Sequence, residues 1–445
     1  MKQYTPDSIS PAILQHQEVP RSALWATIIG NALEWYDLIV YGFLAVFIAK
    51  QFFPDTDEAA ALLATFATFA LSYVVRPAAG VLIGLYADTA GRRKALMLIM
   101  GMMTVAMLIM VVVPPYSSIG LGATVLMVIA RLLQAASAAG EFGSAAAYLL
   151  EAAPSRRRGL FSGLYSAGPQ LACMLSAIVG LVLTIGMSEA VRDSWGWRIP
   201  FAVGLLIAPV GLYIRRYLPE TNEFVATQLK PHGNPLAFFQ GRMRTLLVGT
   251  ALAGVANSAS YILLIYAPTY VAKTLKLPIQ FSFISLIVSG IAGTLFMPLM
   301  GALADRIGAK RQLNLGLGLM VVVIIPMYVW LTSSPSLERL LVSAVILAAI
   351  VSTSTSVFAT LMTGLFPTES RSSGMSICYN ISAIVFGATS LYFITLLTQK
   401  TGSSLIPAYY LFGIQLFILI VFSAFYTPAV AVSQQPRKVA SFRAS

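Results

Sequence analysis

Charge is what this sequence has least of: only 10% of its 445 residues are Asp, Glu, Lys or Arg, against about a quarter in a soluble domain. Its two cysteines, Cys173 and Cys378, both stand inside apolar runs, which excludes a disulfide framework and a thiolate metal site. The two histidines, His16 and His232, lie outside the apolar runs, so no imidazole is available to carry a proton within them. No GxxxxGK[ST] loop occurs, which argues against a pump driven directly by ATP. With no His-rich or Cys-rich cluster in the apolar segments, neither an enzyme, a metal nor a cofactor is expected. The N-terminal stretch is polar and lacks the apolar core of a cleaved signal peptide, so the first crossing is expected to act as its own insertion signal. What is abundant is hydrophobicity: 58% of residues, with a mean hydropathy of +0.79. This composition belongs to a polytopic membrane protein, with the lipid bilayer as its first partner. The net charge of +12 then reads as a topology signal rather than as affinity for nucleic acid.

A window of about 20 residues, the length a helix needs to span a bilayer, finds six apolar segments between 24 and 218 and six more between 245 and 428. The polar stretch 219–244, with PETNEF and KPHGNP, reads as the linker between two six-helix bundles. Residues 1–23 and 429–445 read as tails. Lys and Arg concentrate in the loops after the even-numbered segments, for example Arg92–Lys94 and Arg156–Arg158. Both tails and the linker are therefore expected to be cytoplasmic. The halves also repeat: GLYADTAGRRK ends the second segment and GALADRIGAKR the eighth, placing Asp88 and Asp305 217 residues apart. EAAPSRRRGLFSG and FPTESRSSGMS recur at nearly the same offset, and internal duplication marks secondary transporters.

Gly84, Asp88, Gly91, Arg92, Arg93 and Lys94 form a G-x-x-x-D-x-x-G-R-R-K pattern that resembles the loop between helices 2 and 3 of the major facilitator superfamily. Thr89 and Ala309 depart from it in the two copies. GNALEWYDLIVYGF, RLLQ, WGWRIPF, YAPTY, FPTESR and the Tyr379–Asn380 pair narrow the resemblance to the metabolite:proton symporter family, over nearly the whole chain. Ala135 stands where that family usually has Gly. The resemblance implies an all-α fold of twelve transmembrane helices in two bundles, in a bacterial inner membrane. It also implies proton-coupled symport of a small organic acid by alternating access, by a monomer. The alternative is a proline/betaine-type osmolyte symporter, although the coiled coil of the osmosensory branch is missing. Gly84, Asp88, Arg92, Arg93, Asp305 and Arg306 become expected gating residues, since charged contacts at helix ends can hold one conformation and release it in the other.

The chemistry centres on IIGNALEWYDLIVYGFLAVF, residues 28–47, an apolar run carrying Glu34 and Asp37. Three residues apart on a helix, they share a face. An ionised carboxylate in hydrocarbon is costly, so such groups normally face a bundle interior and mark a pathway. Either they are a proton site, or they cap or pin a neighbouring helix. Arg76 and Arg131 fall at similar depth and Glu141 towards the cytoplasmic side, giving Glu34, Asp37, Arg131 and Glu141 as the expected proton-coupling set. Each arginine either anchors an anionic substrate through its bidentate fork or neutralises a nearby acid. A change in arginine distance between states would alter how readily an acid takes a proton. Arg76, Gln170, Asn257, Tyr261, Tyr266, Tyr379 and Asn380 are the expected substrate-binding residues, the C-terminal half contributing neutral hydrogen-bonding groups. The Ser352–Ser356 run either binds or only packs helices, and Pro169 is expected to mark a local kink.

Overall fold

The computed structural model describes residues 21–53, 57–90, 92–140, 146, 149–150, 153–205, 243–366 and 371–426, in places as backbone only. In chain order, the first half contains α1 (Arg21–Phe43), α2 (Ala45–Phe52), α3 (Glu58–Val74), α4 (Arg76–Ala90), α5 (Arg92–Val112), α6 (Leu121–Ser137) and α7 (Arg158–Gly186). The second half contains α8 (Met243–Ala259), α9 (Ile279–Ile307), α10 (Ala309–Ser333), α11 (Leu337–Thr355), α12 (Arg371–Ser382), α13 (Thr389–Thr401) and α14 (Ile406–Phe425). No strand occurs among the described residues. Eight helical spans are long and apolar enough to cross a membrane, and α1 with α2 makes a ninth, bent by 60° at Leu44. The shorter apolar helices Met97–Val112 and Leu121–Ser137, and the helix over 199–205, occupy the remaining three places of a twelve-helix plan.

Prolines inside the spans free backbone carbonyls, and other groups take them up. Pro77 has no N–H to offer the carbonyl of Tyr73. The helix turns at Val75, whose own N–H bonds that carbonyl, and α4 restarts at Arg76. Pro169 likewise frees the carbonyl of Tyr165, yet α7 continues through it for 29 residues. The freed oxygen accepts the side-chain N–H of Asn31 from α1 at 3.0 Å. At Pro169, where a local kink is expected, the helix stays unbroken and an interhelical bond takes up the freed carbonyl. After α8 the same span continues through two π-helical stretches, Ser260–Ile265 and Tyr270–Thr274, on either side of Pro268.

The halves meet along α7 and α9, which run antiparallel at a separation only glycine permits. A Cβ at Gly163 or at Gly301 would collide with the backbone carbonyl of Met297 or of Gly159, and one at Gly180 would lie 2.7 Å from the Phe283 ring. Small residues let membrane helices approach closely where lipid gives no hydrophobic drive. At the end carrying the basic loops, the Asp305 carboxylate accepts the backbone N–H groups of Gly159 (2.7 Å) and Leu160 (3.0 Å), capping the N-terminus of α7 across the halves. Thr360 Oγ1 donates to the Arg158 carbonyl at 3.2 Å beside it. At the opposite end Lys273 pairs with Glu58, and Gln399 donates to the Ala59 carbonyl at 3.4 Å. Among the described residues the halves are therefore bridged at both ends. Gly301→Val is expected to wedge the basic end open, since overpacking costs about 1–3 kcal/mol. Thiol labelling of Ser166→Cys, a position buried where Ser166 bonds the Thr355 carbonyl, should then accelerate by about tenfold; an unchanged rate would contradict the seam's role.

Candidate proton and substrate site

Between the two bridged ends lies a cavity of about 30 Å³ lined by Glu34, Asp37, Arg76, Gln134, Tyr261 and Tyr379, with Trp35 among the other walls. That volume holds about two or three waters, so admitting a metabolite requires the halves to part. The i, i+3 spacing on α1 does bring Glu34 and Asp37 to one cavity. Asp37 is 5% exposed, and its Oδ1 has no hydrogen-bond partner among the described residues. It lies against Gly204, where a Cβ would come within 2.6 Å of that oxygen. The glycine is what lets the carboxyl seat there. Gly204→Val is expected to displace it and lower proton-driven uptake about tenfold or more, with the protein still folded as judged by gel filtration. Tyr36, beside it in sequence, fixes α1 by donating to the Pro200 carbonyl at 3.1 Å.

Glu34 is half-buried and acts electrostatically on Arg76, Tyr165 and Tyr379. Arg76 is 6% exposed, its guanidinium lying 3.9 Å over the Tyr73 ring. Arg131 is buried more deeply, at 1% exposure, sandwiched 4.1 Å over Tyr41 and 4.6 Å over Phe69 and bonded to Gln134 Oε1. No ion pair among the described residues joins it to Asp37. The link runs through Gln134 instead, whose Nε2 reaches the Asp37 backbone carbonyl at 3.5 Å. A desolvated guanidinium held by two π faces gains about 2 kcal/mol or more from them. Arginine can therefore stay here without a carboxylate in direct contact. The sequence places these residues at one depth but does not reveal that Gln134 and two aromatic rings hold Arg131.

From the second half, Tyr261 enters the cavity on the first π-helical stretch, bonds the Tyr73 hydroxyl, and packs edge-on to Trp35 with centroids 6.3 Å apart. Tyr379 shares the lining. The other expected substrate residues lie elsewhere. Tyr266 packs on Phe66 towards the end opposite the basic loops, and Asn380 donates to the Ala139 carbonyl at 2.9 Å across the halves. Asn257 is fully buried and donates to Ser382 Oγ at 3.1 Å, lining neither this cavity nor the larger one nearby. Gln170 belongs to that larger cavity. Within the Ser352–Ser356 run, the side chains of residues 352 to 355 bond carbonyls of their own helix, while Ser356 Oγ accepts from Gln312 Nε2, an arrangement of helix packing. Gly84 and Asp88 sit on α4 and Arg92 and Arg93 on α5 by backbone alone, Arg306 is exposed, and Glu141 lies outside the described residues.

Two helical halves meeting around an acid pair and an arginine in one cavity fit a membrane transporter architecture. Comparison with known proteins gives the same class. The chain belongs to the Major Facilitator Superfamily, whose profile matches residues 27–377 and 278–444. The citrate-proton symporter of Salmonella typhi is 32% identical over 384 residues, covering 86% of this chain and 88% of that protein. The proline/betaine transporter of Escherichia coli K12 is 32% identical over 404 residues, covering 88% of this chain and 80% of that protein. Among solved structures, a D-xylose-proton symporter superposes with a TM-score of 0.73 over 92% of this chain and 98% of its own. At 16% identity that likeness speaks for the fold alone.

Proposed function

We propose that the chain is a secondary active transporter that couples entry of a small organic acid to entry of protons by alternating access. It works as a monomer in a bacterial cytoplasmic membrane, with the basic end and both termini cytoplasmic. The functional units are the N-terminal bundle at 24–218, the cytoplasmic linker at 219–244 and the C-terminal bundle at 245–428. The observation that carries the reading is that Glu34, Asp37 and Arg76 line one cavity between halves bridged at both ends. With the end opposite the basic loops open, a substrate carboxylate takes the Arg76 fork, displacing it from Glu34. The acid that loses cationic company binds a proton more readily, so the two loads arrive together. Arg131, tied through Gln134 to the backbone of Asp37, adjusts the second acid as the bundle rearranges. Asp305 on the α7 N-terminus then opens to release both at the basic end. The citrate-proton relatives support an acid as cargo.

A zwitterionic osmolyte is the second reading, favoured by a specific feature: Trp35, Tyr261 and Tyr379 wall the cavity beside two carboxylates. Aromatic faces with acidic neighbours suit a quaternary ammonium group, and the proline/betaine relatives point the same way. Uptake into proteoliposomes after an inward pH jump, with citrate, dicarboxylates, proline and betaine as labelled substrates, decides between them. The acid reading expects gradient-dependent accumulation of a carboxylate and none of betaine. Accumulation of betaine alone selects the osmolyte, and facilitated entry that ignores the gradient overturns both.

A further inference from the structure

A second cavity, of about 80 Å³, lies among α9, α10, α11 and the π-helical continuation of α8, apart from the carboxylates. Its walls include no formally charged residue, and Gln170 of α7 is the one wall residue from the first half. Along α9 the serines at 282, 285 and 289 repeat at i, i+3 and i+7, one face of a helix. Ser282 and Ser285 donate to the carbonyls of Ile279 (2.6 Å) and Leu340 (3.3 Å), and Ser343 to the Met327 sulfur at 3.4 Å. Ser260, Ser289 and the Gln170 carboxamide make no hydrogen bond among the described residues, although Gln170 is only 4% exposed and its Oε1 is fully enclosed. An unpaired buried amide costs about 1–3 kcal/mol, so the Gln170 carboxamide, with two uncommitted serine hydroxyls on the same walls, calls for an occupant. Gly293 is the reason Gln170 reaches it: a Cβ there would lie 2.7 Å from the Gln170 Cδ, so any other residue would push the side chain back out of the seam.

We propose that this cavity is a second ligand site, for a small uncharged molecule with one hydroxyl or carbonyl head and a short apolar tail, whose head joins Gln170 of the first half to Ser289 of the second. An ion is excluded by chemistry, since nothing on the walls would compensate its lost hydration. The volume fits about five heavy atoms, the size of a four-carbon alcohol. Bonded to both halves at once, the occupant holds the closed arrangement together and slows separation of the seam without entering the acid-lined cavity.

The test is saturation-transfer NMR on the purified full-length protein in detergent, with 1-butanol as probe and propionate and propylammonium as charged counterparts of similar size. Transfer to butanol is expected in the wild type and about threefold or more weaker in Gln170→Leu, which removes the head-group partner. Ala344→Phe, which fills the chamber, should abolish it, with gel filtration confirming that each variant is folded. The charged probes should show no transfer. Equal transfer in wild type and both variants, or equal binding of the charged probes, would overturn the proposal, as would a cavity that proves to hold water alone.

Discussion

Asp37→Asn is expected to abolish uphill uptake while leaving exchange of substrate across the membrane measurable. The substitution keeps the shape of a side chain seated against Gly204, in a place where a bulkier group has no room, and removes only its capacity to take a proton. Each pH unit of inward gradient is worth about 1.36 kcal/mol, which sustains about tenfold accumulation for one coupled proton. Without a proton to carry, the variant should stop at equal concentrations on the two sides. Glu34→Gln should show the same loss, because Glu34 shares the cavity with Asp37 and acts on Arg76. Counterflow of labelled substrate against unlabelled substrate, run beside gradient-driven uptake, separates coupling from folding. Full accumulation in both variants would remove the acids from the mechanism.

Asp305→Ala is expected to release the basic end. The carboxylate accepts two backbone N–H groups at the first turn of α7, at 2.7 and 3.0 Å, where the helix also presents its positive dipole end. Because Asp305 is exposed, solvent screens these bonds, and their joint worth is about 1–2 kcal/mol. Their loss should shift the population of the form open at that end by about 5- to 30-fold. Spectroscopic distances between labels at positions 156 and 310, on the two sides of the contact, read this directly. A distance distribution unchanged from wild type would show that the cap holds nothing closed. Asp88 and Asp305 each stand near the end of a span, and in the second half that acid meets a helix start in the other bundle.

Much of this architecture is legible in sequence because hydropathy and duplication are local or periodic signals. The twelve-helix plan and the acid pair on one face of α1 follow from hydropathy and spacing, whereas Asp305 enters as an expected gating residue only through the resemblance of its loop to the family's. What is not legible depends on which helices become neighbours. Asn31 reads as an ordinary polar residue in an apolar run until Pro169, on another helix, is seen to leave the Tyr165 carbonyl free for it. Gly204 carries no motif, and only the approach of Asp37 gives its missing side chain a purpose. Arg131 is expected either to anchor a substrate or to neutralise an acid; among the described residues it is held by two aromatic rings and Gln134, partners that spacing does not reveal. Asn257 and the serines from 352 follow the commoner fate of polar groups in helical bundles, bonding neighbours or their own backbone. The 60° bend at Leu44 has no proline to announce it.

The most direct test of the account is the movement of the proton itself. Proteoliposomes enclosing a pH-sensitive dye, with no gradient imposed, should acidify inside when the transported solute is added outside, and those carrying Asp37→Asn should not. Entry of solute with no change in internal pH, or equal acidification by the variant, would contradict the claim that the buried acids of the first bundle carry protons in with the cargo.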